Sequence, residues 1–166
     1  MVTIRQCAVL VRGSGTPPGT LTAQLPKPLL PCGDRPLLAW PMREFVRFGV
    51  EEFVLLAGPL SAQVEARVAG FAALLPRHAR LVVSREPIGA GTGGAIVHAR
   101  AHLDERFLLC DGDVLFDCNL ARLLSAADAD AAGRMLLRHS HDTSRYGVVR
   151  MHGDVVREFS RKPGLR

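Results

Sequence analysis

The sequence is poor in lysine and in the larger aromatic side chains. Among 166 residues with 21 Lys and Arg together, two are lysine, and there is one Trp and one Tyr. No stretch approaches the ~18 consecutive apolar residues of a membrane-spanning helix, so no membrane partner is expected. The N-terminal apolar run is short and lacks the small-residue cleavage pattern of a signal peptide; the chain reads as cytoplasmic. None of the cysteines, Cys7, Cys32, Cys110 and Cys118, forms a CxxC pair, which fits reduced core thiols. The net charge of +5 is spread along the chain. Without a basic cluster or interleaved aromatics it argues against nucleic acid and suits a small phosphorylated substrate.

Several motifs are also missing. The loop after the first apolar run is neither GxxxxGK[ST] nor GxGxxG, and the chain has no HExxH or GxSxG, so a P-loop or dinucleotide fingerprint at that loop, a zinc protease and a serine hydrolase are not indicated. His98 and His102 share a helix face but have no third ligand in sight. His139, His141 and Asp142 form a polar turn. Neither set reads as a metal site.

What is present alternates. Apolar runs at Gln6–Val11, Glu52–Ala57, Arg80–Ser84 and Arg106–Cys110 predict buried strands. Helices are expected over Leu37–Phe48 after Pro36, over Ala62–Leu75 with Ser61 as cap, over Ala95–His102, and over Asn119–Ala127. Beyond these, Arg134–Arg138, Tyr146–Met151 and Val155–Phe159 read as strands, the last two joined at Gly153-Asp154. Strand–helix alternation implies an α/β fold with a mainly parallel sheet covered on both faces. The length fits one domain, 1–166, without repeat or linker. Ligands of such sheets bind outside the carboxyl ends of the strands, where three unusual loops fall.

The first loop, Arg12-Gly13-Ser14-Gly15-Thr16, can bring backbone N–H groups close to phosphate, although a plain turn would look similar. Both lysines, Lys27 and Lys162, lie in Lys-Pro dipeptides. A lysine kept in so arginine-rich a chain suits a point charge on phosphate, and Pro26, Pro28 and Pro31 stiffen the segment around Lys27; a surface salt bridge is the other reading. Glu86 precedes the glycine-rich Gly89–Gly94, which leaves space for a nucleobase, or forms a flexible loop. Asp111-Gly112-Asp113 ends a strand, where carboxylates serve Mg²⁺ or simply cap a turn.

These pieces, in this order, resemble the sugar-phosphate nucleotidyltransferase family over essentially the whole chain. The counterparts of its motifs are Ala8–Thr16, Pro26-Lys27-Pro28, Gly91-Thr92-Gly93-Gly94-Ala95, Gly112-Asp113, Tyr146-Gly147-Val148-Val149 and Arg161-Lys162-Pro163. The GTGGAI and LPKPLLP wording looks most like guanylyltransferases acting on heptose or mannose 1-phosphate. The resemblance implies a Rossmann-like three-layer α/β/α domain, here without the family's C-terminal part, with an NTP (GTP favoured) and a sugar 1-phosphate as partners; a homo-oligomer stays open. It also implies roles. Gly13, Ser14, Gly15 and Thr16 would cradle the nucleotide, and Lys27 would neutralise the α-phosphate. Glu86 and Gly91 would sit near the base, and Asp113 would hold Mg²⁺. Tyr146 and Gly147 would line the sugar side, and Lys162 would grip the sugar phosphate. Four features depart from the family: Arg12 in the first loop, Pro17 in place of an arginine that contacts the triphosphate, Arg161 in place of a glutamate, and the short C-terminal end. They keep a second reading open, a catalytically weak or inactive nucleotide-binding relative with a regulatory or structural role.

Overall fold

In the computed structural model, which describes residues 4–12, 25–125, 131–144 and 146–160, Gln6–Val11 forms β1 and every residue of it is buried. A strand of six consecutive apolar or satisfied residues can be buried on both faces only at the centre of a covered sheet. β1 takes that position. It pairs in parallel with β4 (Glu52–Ala57) on one side and β6 (Leu108–Asp111) on the other, and β4 pairs in parallel with β5 (Arg80–Arg85). The sheet order is β5-β4-β1-β6.

Successive side chains of a strand point to opposite faces, and this divides the core in two. Cys7, Val9 and Val11 of β1 and Phe53 and Leu55 of β4 face Met42 and Phe45 of α1 (Ala39–Arg47), Val64 and Phe71 of α2 (Ser61–Ala73), and Leu120 of α4 (Leu120–Ser125). Ala8, Leu10, Val54 and Leu56 face Ala95 of α3 (Gly91–His98) and Ala99. The result is the expected three-layer α/β/α arrangement with a parallel sheet. Each large side chain in these layers contributes roughly 1.5–3 kcal/mol over an exposed position. Gln6, the buried polar residue of β1, is satisfied: its amide donates to the carbonyl of His102 at 2.9 Å and its Oε1 accepts from the amide of Asp104 at 2.8 Å.

Several element expectations change. Pro36 belongs to a two-residue antiparallel ladder, β2 (Pro31–Cys32) with β3 (Arg35–Pro36), and α1 begins at Ala39. Ser61 is not a side-chain cap. It is the first residue of α2, which starts from a turn in which the Ser61 amide donates to the carbonyl of Gly58 at 2.9 Å. The glycine-rich stretch is not a loop ahead of a helix at Ala95: α3 starts at Gly91, whose φ of +66° only glycine adopts readily. A Cβ on Gly94 would lie 2.9 Å from that of Ala90, so the missing side chains are what allow the tight entry. Arg100–His102 then forms a separate 3₁₀ turn.

By internal contacts the chain divides into two compact units, Met1–Asp128 and Ala129–Arg166. The second contains the antiparallel hairpin β7 (Val148–His152) and β8 (Val155–Ser160). Gly153 turns it with φ +58°, and Arg150 pairs with Glu158 across the ladder at 3.3 Å. The strand expected at Arg134–Arg138 does not form. That segment is exposed and has no neighbouring ladder among the described residues, and an unpaired strand leaves its backbone groups without partners. No helix among the described residues is long and apolar enough to cross a membrane.

Gly112 is closely enclosed on three sides. A Cβ on Gly112 would stand 3.1 Å from the carbonyl oxygen of Leu10, from Leu38 Cδ1 and from Pro28 Cβ. Gly112→Ala should lower stability by about 1–3 kcal/mol. Gly70→Ala, in α2 with open space around it, should raise it by about 0.5–1 kcal/mol. Urea denaturation midpoints of the two variants check both signs.

Candidate active site

The register of the sheet decides which residues meet at its carboxyl edge. Val11 stands opposite Ala57, and Ala57 opposite Arg85, so the next residues on three neighbouring strands are Arg12, Gly58 and Glu86. On the other side Leu10 stands opposite Asp111, and the Gly112 amide donates to the Leu10 carbonyl at 3.0 Å. Asp111-Gly112-Asp113 therefore leaves the sheet beside the end of β1.

Lys27 reaches the same edge through the proline-rich segment. Lys27–Leu29 is a 3₁₀ turn with Pro28 and Leu29 buried. It is pinned by the Leu29 amide donating to the Pro26 carbonyl and the Leu38 amide donating to the Pro28 carbonyl, both at 2.8 Å. Pro28 packs where Gly112 has no Cβ. That contact sets Lys27 beside Asp113, with Nζ 2.9 Å from Oδ2 and side chains 50% and 30% exposed. Of the two readings of Lys27 from sequence, the structure shows the salt bridge, and its partner is the acidic residue singled out for metal.

A second ion pair lies on the other flank of β1. Arg12 Nη2 donates to Glu86 Oε2 at 3.1 Å, and Nε lies 3.0 Å from Oε1. The Glu86 side chain is 7% exposed and that of Arg12 29%. The sequence marks Arg12 and Glu86 separately but not as a pair, and it does not mark Gly58 between them. The signal for Gly58 is its place directly after a buried strand, before Pro59.

The acids at the end of β6 shape their surroundings. Burial and the charge of Asp113 raise the pKa of Asp111, with Arg12 acting in the opposite direction. Burial, then Asp111 and Asp113, push the Cys110 thiol up to about 12, so it stays protonated and is no nucleophile. Among the described residues no group of three or more His, Cys, Asp or Glu could cage a metal. The accessible carboxylate of Asp113, with Asp111 nearby in sequence, instead fits an ion that completes its shell with phosphate oxygens and water, as Mg²⁺ does.

The remaining sequence-predicted residues are distributed as follows. Gly91 starts α3. Tyr146 and Gly147 lie in the second unit just before β7, with Tyr146 exposed and its amide donating to the Thr143 carbonyl at 3.1 Å. Gly13, Ser14, Gly15, Thr16, Pro17, Arg161 and Lys162 lie outside the described residues.

The family model described as nucleotidyl transferase matches residues 7–166. The chain belongs to this family. Among curated relatives of this nucleotidyl transferase domain, the CMP-5'-(3-aminopropyl)phosphonate synthase of Streptomyces rubellomurinus is 34% identical over 76% of the chain and 20% of its own length. The D-glycero-alpha-D-manno-heptose 1-phosphate guanylyltransferase of Campylobacter jejuni is 28% identical over 95% of the chain and 68% of its own length. The solved structure of HddC from Yersinia pseudotuberculosis complexed with GMP-PN shares the fold with a TM-score of 0.71 at 20% identity, over 96% of the chain and 70% of that protein. The chain thus spans a fifth of the first relative's length and about two thirds of the others'. The family's relatives include sugar-1-phosphate nucleotidyltransferases that use different bases.

The thiol of Cys110 offers a check on the local electrostatics. With its pKa near 12, its thiolate fraction at pH 8 is about a thousandfold below that of an ordinary thiol. Because a more basic thiolate is also more nucleophilic, the rate gap is smaller than that, and peptide-level mass spectrometry should find it alkylated by iodoacetamide roughly tenfold or more slower than glutathione. A rate near that of glutathione would contradict this picture of the strand end.

Proposed function

We propose that the chain transfers a nucleotidyl group from a nucleoside triphosphate, GTP favoured, to a sugar 1-phosphate, giving an NDP-sugar and pyrophosphate. The observation that carries this reading is the Lys27–Asp113 pair, a half-exposed cation and a metal-competent carboxylate at the carboxyl edge of a nucleotidyl transferase sheet. GTP is favoured by the GTGGAI and LPKPLLP wording.

The chemistry is an in-line displacement. A phosphate oxygen of the sugar 1-phosphate attacks the α-phosphorus. The bond from that phosphorus to the bridging oxygen breaks, and pyrophosphate leaves with the electron pair. No covalent enzyme intermediate is required, so catalysis consists of positioning and charge neutralisation. Lys27 holds its ammonium toward the α-phosphate on a stiff turn. The backbone donors of Gly13, Ser14, Gly15 and Thr16 serve the phosphates. The family resemblance gives Glu86 and Gly91 to the base, and Tyr146, Gly147 and Lys162 to the sugar 1-phosphate. Asp113 would hold Mg²⁺, which when bound supplies positive charge against the phosphate oxygens.

Pro17 and Arg161, at positions where the family carries Arg and Glu, favour a second reading, a nucleotide-binding module of weak or no activity. Pyrophosphate release separates the two, with each of the four NTPs paired with mannose, glucose and heptose 1-phosphates in Mg²⁺. The first reading expects release with one pair and a fall of roughly a hundredfold or more in Lys27→Ala and in Asp113→Asn. Full activity of Asp113→Asn would remove that residue from the metal site. Absence of release from every pair favours the second reading.

A further inference from the structure

The Arg12–Glu86 pair is asymmetric in a way that assigns a direction to it. The carboxylate is the sealed partner, 7% exposed against 29% for the guanidinium. It seats against bare backbone: a Cβ on Gly58 would lie 3.0 Å from Glu86 Oε1. The Glu86 amide is itself held by the Ala57 carbonyl at 2.9 Å. A carboxylate so enclosed needs a cation beside it and has little surface left for a ligand.

Arg12, by contrast, is under-used. Among the described residues, one of its five N–H donors makes a well-aligned hydrogen bond, to Glu86. Nε lies 3.0 Å from Oε1 but makes no hydrogen bond although it is shielded from water. The donors of Nη1 carry no hydrogen bond among the described residues. The guanidinium stands one residue past the last residue of β1, on the flank opposite the Lys27–Asp113 pair. A planar fork with spare donors, gripped from behind by a buried acid, is the arrangement that binds phosphate oxygens bidentately.

We infer that Arg12 is the arginine that binds the polyphosphate of the nucleotide in this chain, and that Glu86 is a positioning residue that aims it rather than a reader of the base. Gly58 completes the device by leaving room for the Glu86 carboxylate. This assignment rests on the proposed nucleotide site and reassigns one residue within it.

The test is equilibrium binding by titration calorimetry of the four nucleoside triphosphates and their monophosphates to the full chain and its variants. Arg12→Ala should weaken the triphosphate that the wild type prefers by roughly tenfold to a hundredfold, and the matching monophosphate by less than about threefold, a difference set by the polyphosphate contact. Arg12→Lys should recover only part of the loss, because an ammonium lacks the fork. Glu86→Gln should weaken triphosphate binding and leave the ranking of the four bases unchanged. If Arg12→Ala fails to fold around an unpaired Glu86, the paired change Arg12→Leu with Glu86→Leu removes both charges and should show the same selective loss of triphosphate. Equal losses for mono- and triphosphate, no loss at all, or a Glu86→Gln variant with a reordered base preference would overturn the assignment. A wild-type chain that binds none of the triphosphates would remove the nucleotide site itself, and this assignment with it.

Discussion

Parallel pairing of β1 on both sides is the interaction on which the rest of the structure depends. It sets the row in which Val11, Ala57 and Arg85 stand opposite one another, and it sets Leu10 opposite Asp111. Arg12, Glu86 and Asp113 leave the sheet within a few residues of that row, and Lys27 is held against Asp113. A slip of one residue in β1 would exchange the two faces of the strand. Cys7, Val9 and Val11 would then leave the layer of α1 and α2, and Arg12 and Glu86 would no longer be neighbours. The register is fixed because both faces are buried, so either slip costs the whole core.

The two ion pairs at this edge contribute differently. Lys27 and Asp113 are partly exposed, and such a pair stabilises a fold by about 0–1 kcal/mol. On the proposed function its significance lies in poise: the cation and the anion would exchange each other, at little cost, for phosphate and metal. Arg12 and Glu86 are more deeply set, and removing one partner costs more than the pair yields, because the other remains buried and unpaired. Rigid elements hold both pairs. Proline restricts the turn under Lys27, and Gly112 and Gly58 let backbone and carboxylate approach where a side chain would stand in the way.

Much of this was legible from residues alone. The strands Gln6–Val11 and Glu52–Ala57 have the bounds their apolar runs imply, because a strand buried on both faces cannot tolerate a polar interruption without partners. Lys27 and Asp113 stood out by residue type, a rare lysine between prolines and an acid at a strand end. The Arg12–Glu86 pair was not legible as a pair, since the two residues are 74 positions apart and only the register of β1, β4 and β5 joins them. Arg134–Arg138 shows the opposite failure. Its apolar centre, Met135 to Leu137, reads as a strand, but that reading supplies no ladder partner and the segment is exposed. In Gly91–Gly94 local composition again misled, because glycines that look like a loop serve as the tight first turn of α3.

The central claim is that the carboxyl edge around β1 receives the nucleotide. Amide chemical-shift mapping on the isotope-labelled chain, titrated in turn with each of the four nucleoside triphosphates and Mg²⁺, tests it most directly. The account predicts that the largest changes for the bound triphosphate fall at Arg12, Gly58, Glu86, Gly112 and Asp113, with little change at Arg5, Glu51 and Arg80 on the opposite edge. Changes centred on that opposite edge, or none at the carboxyl edge with any triphosphate, would contradict it.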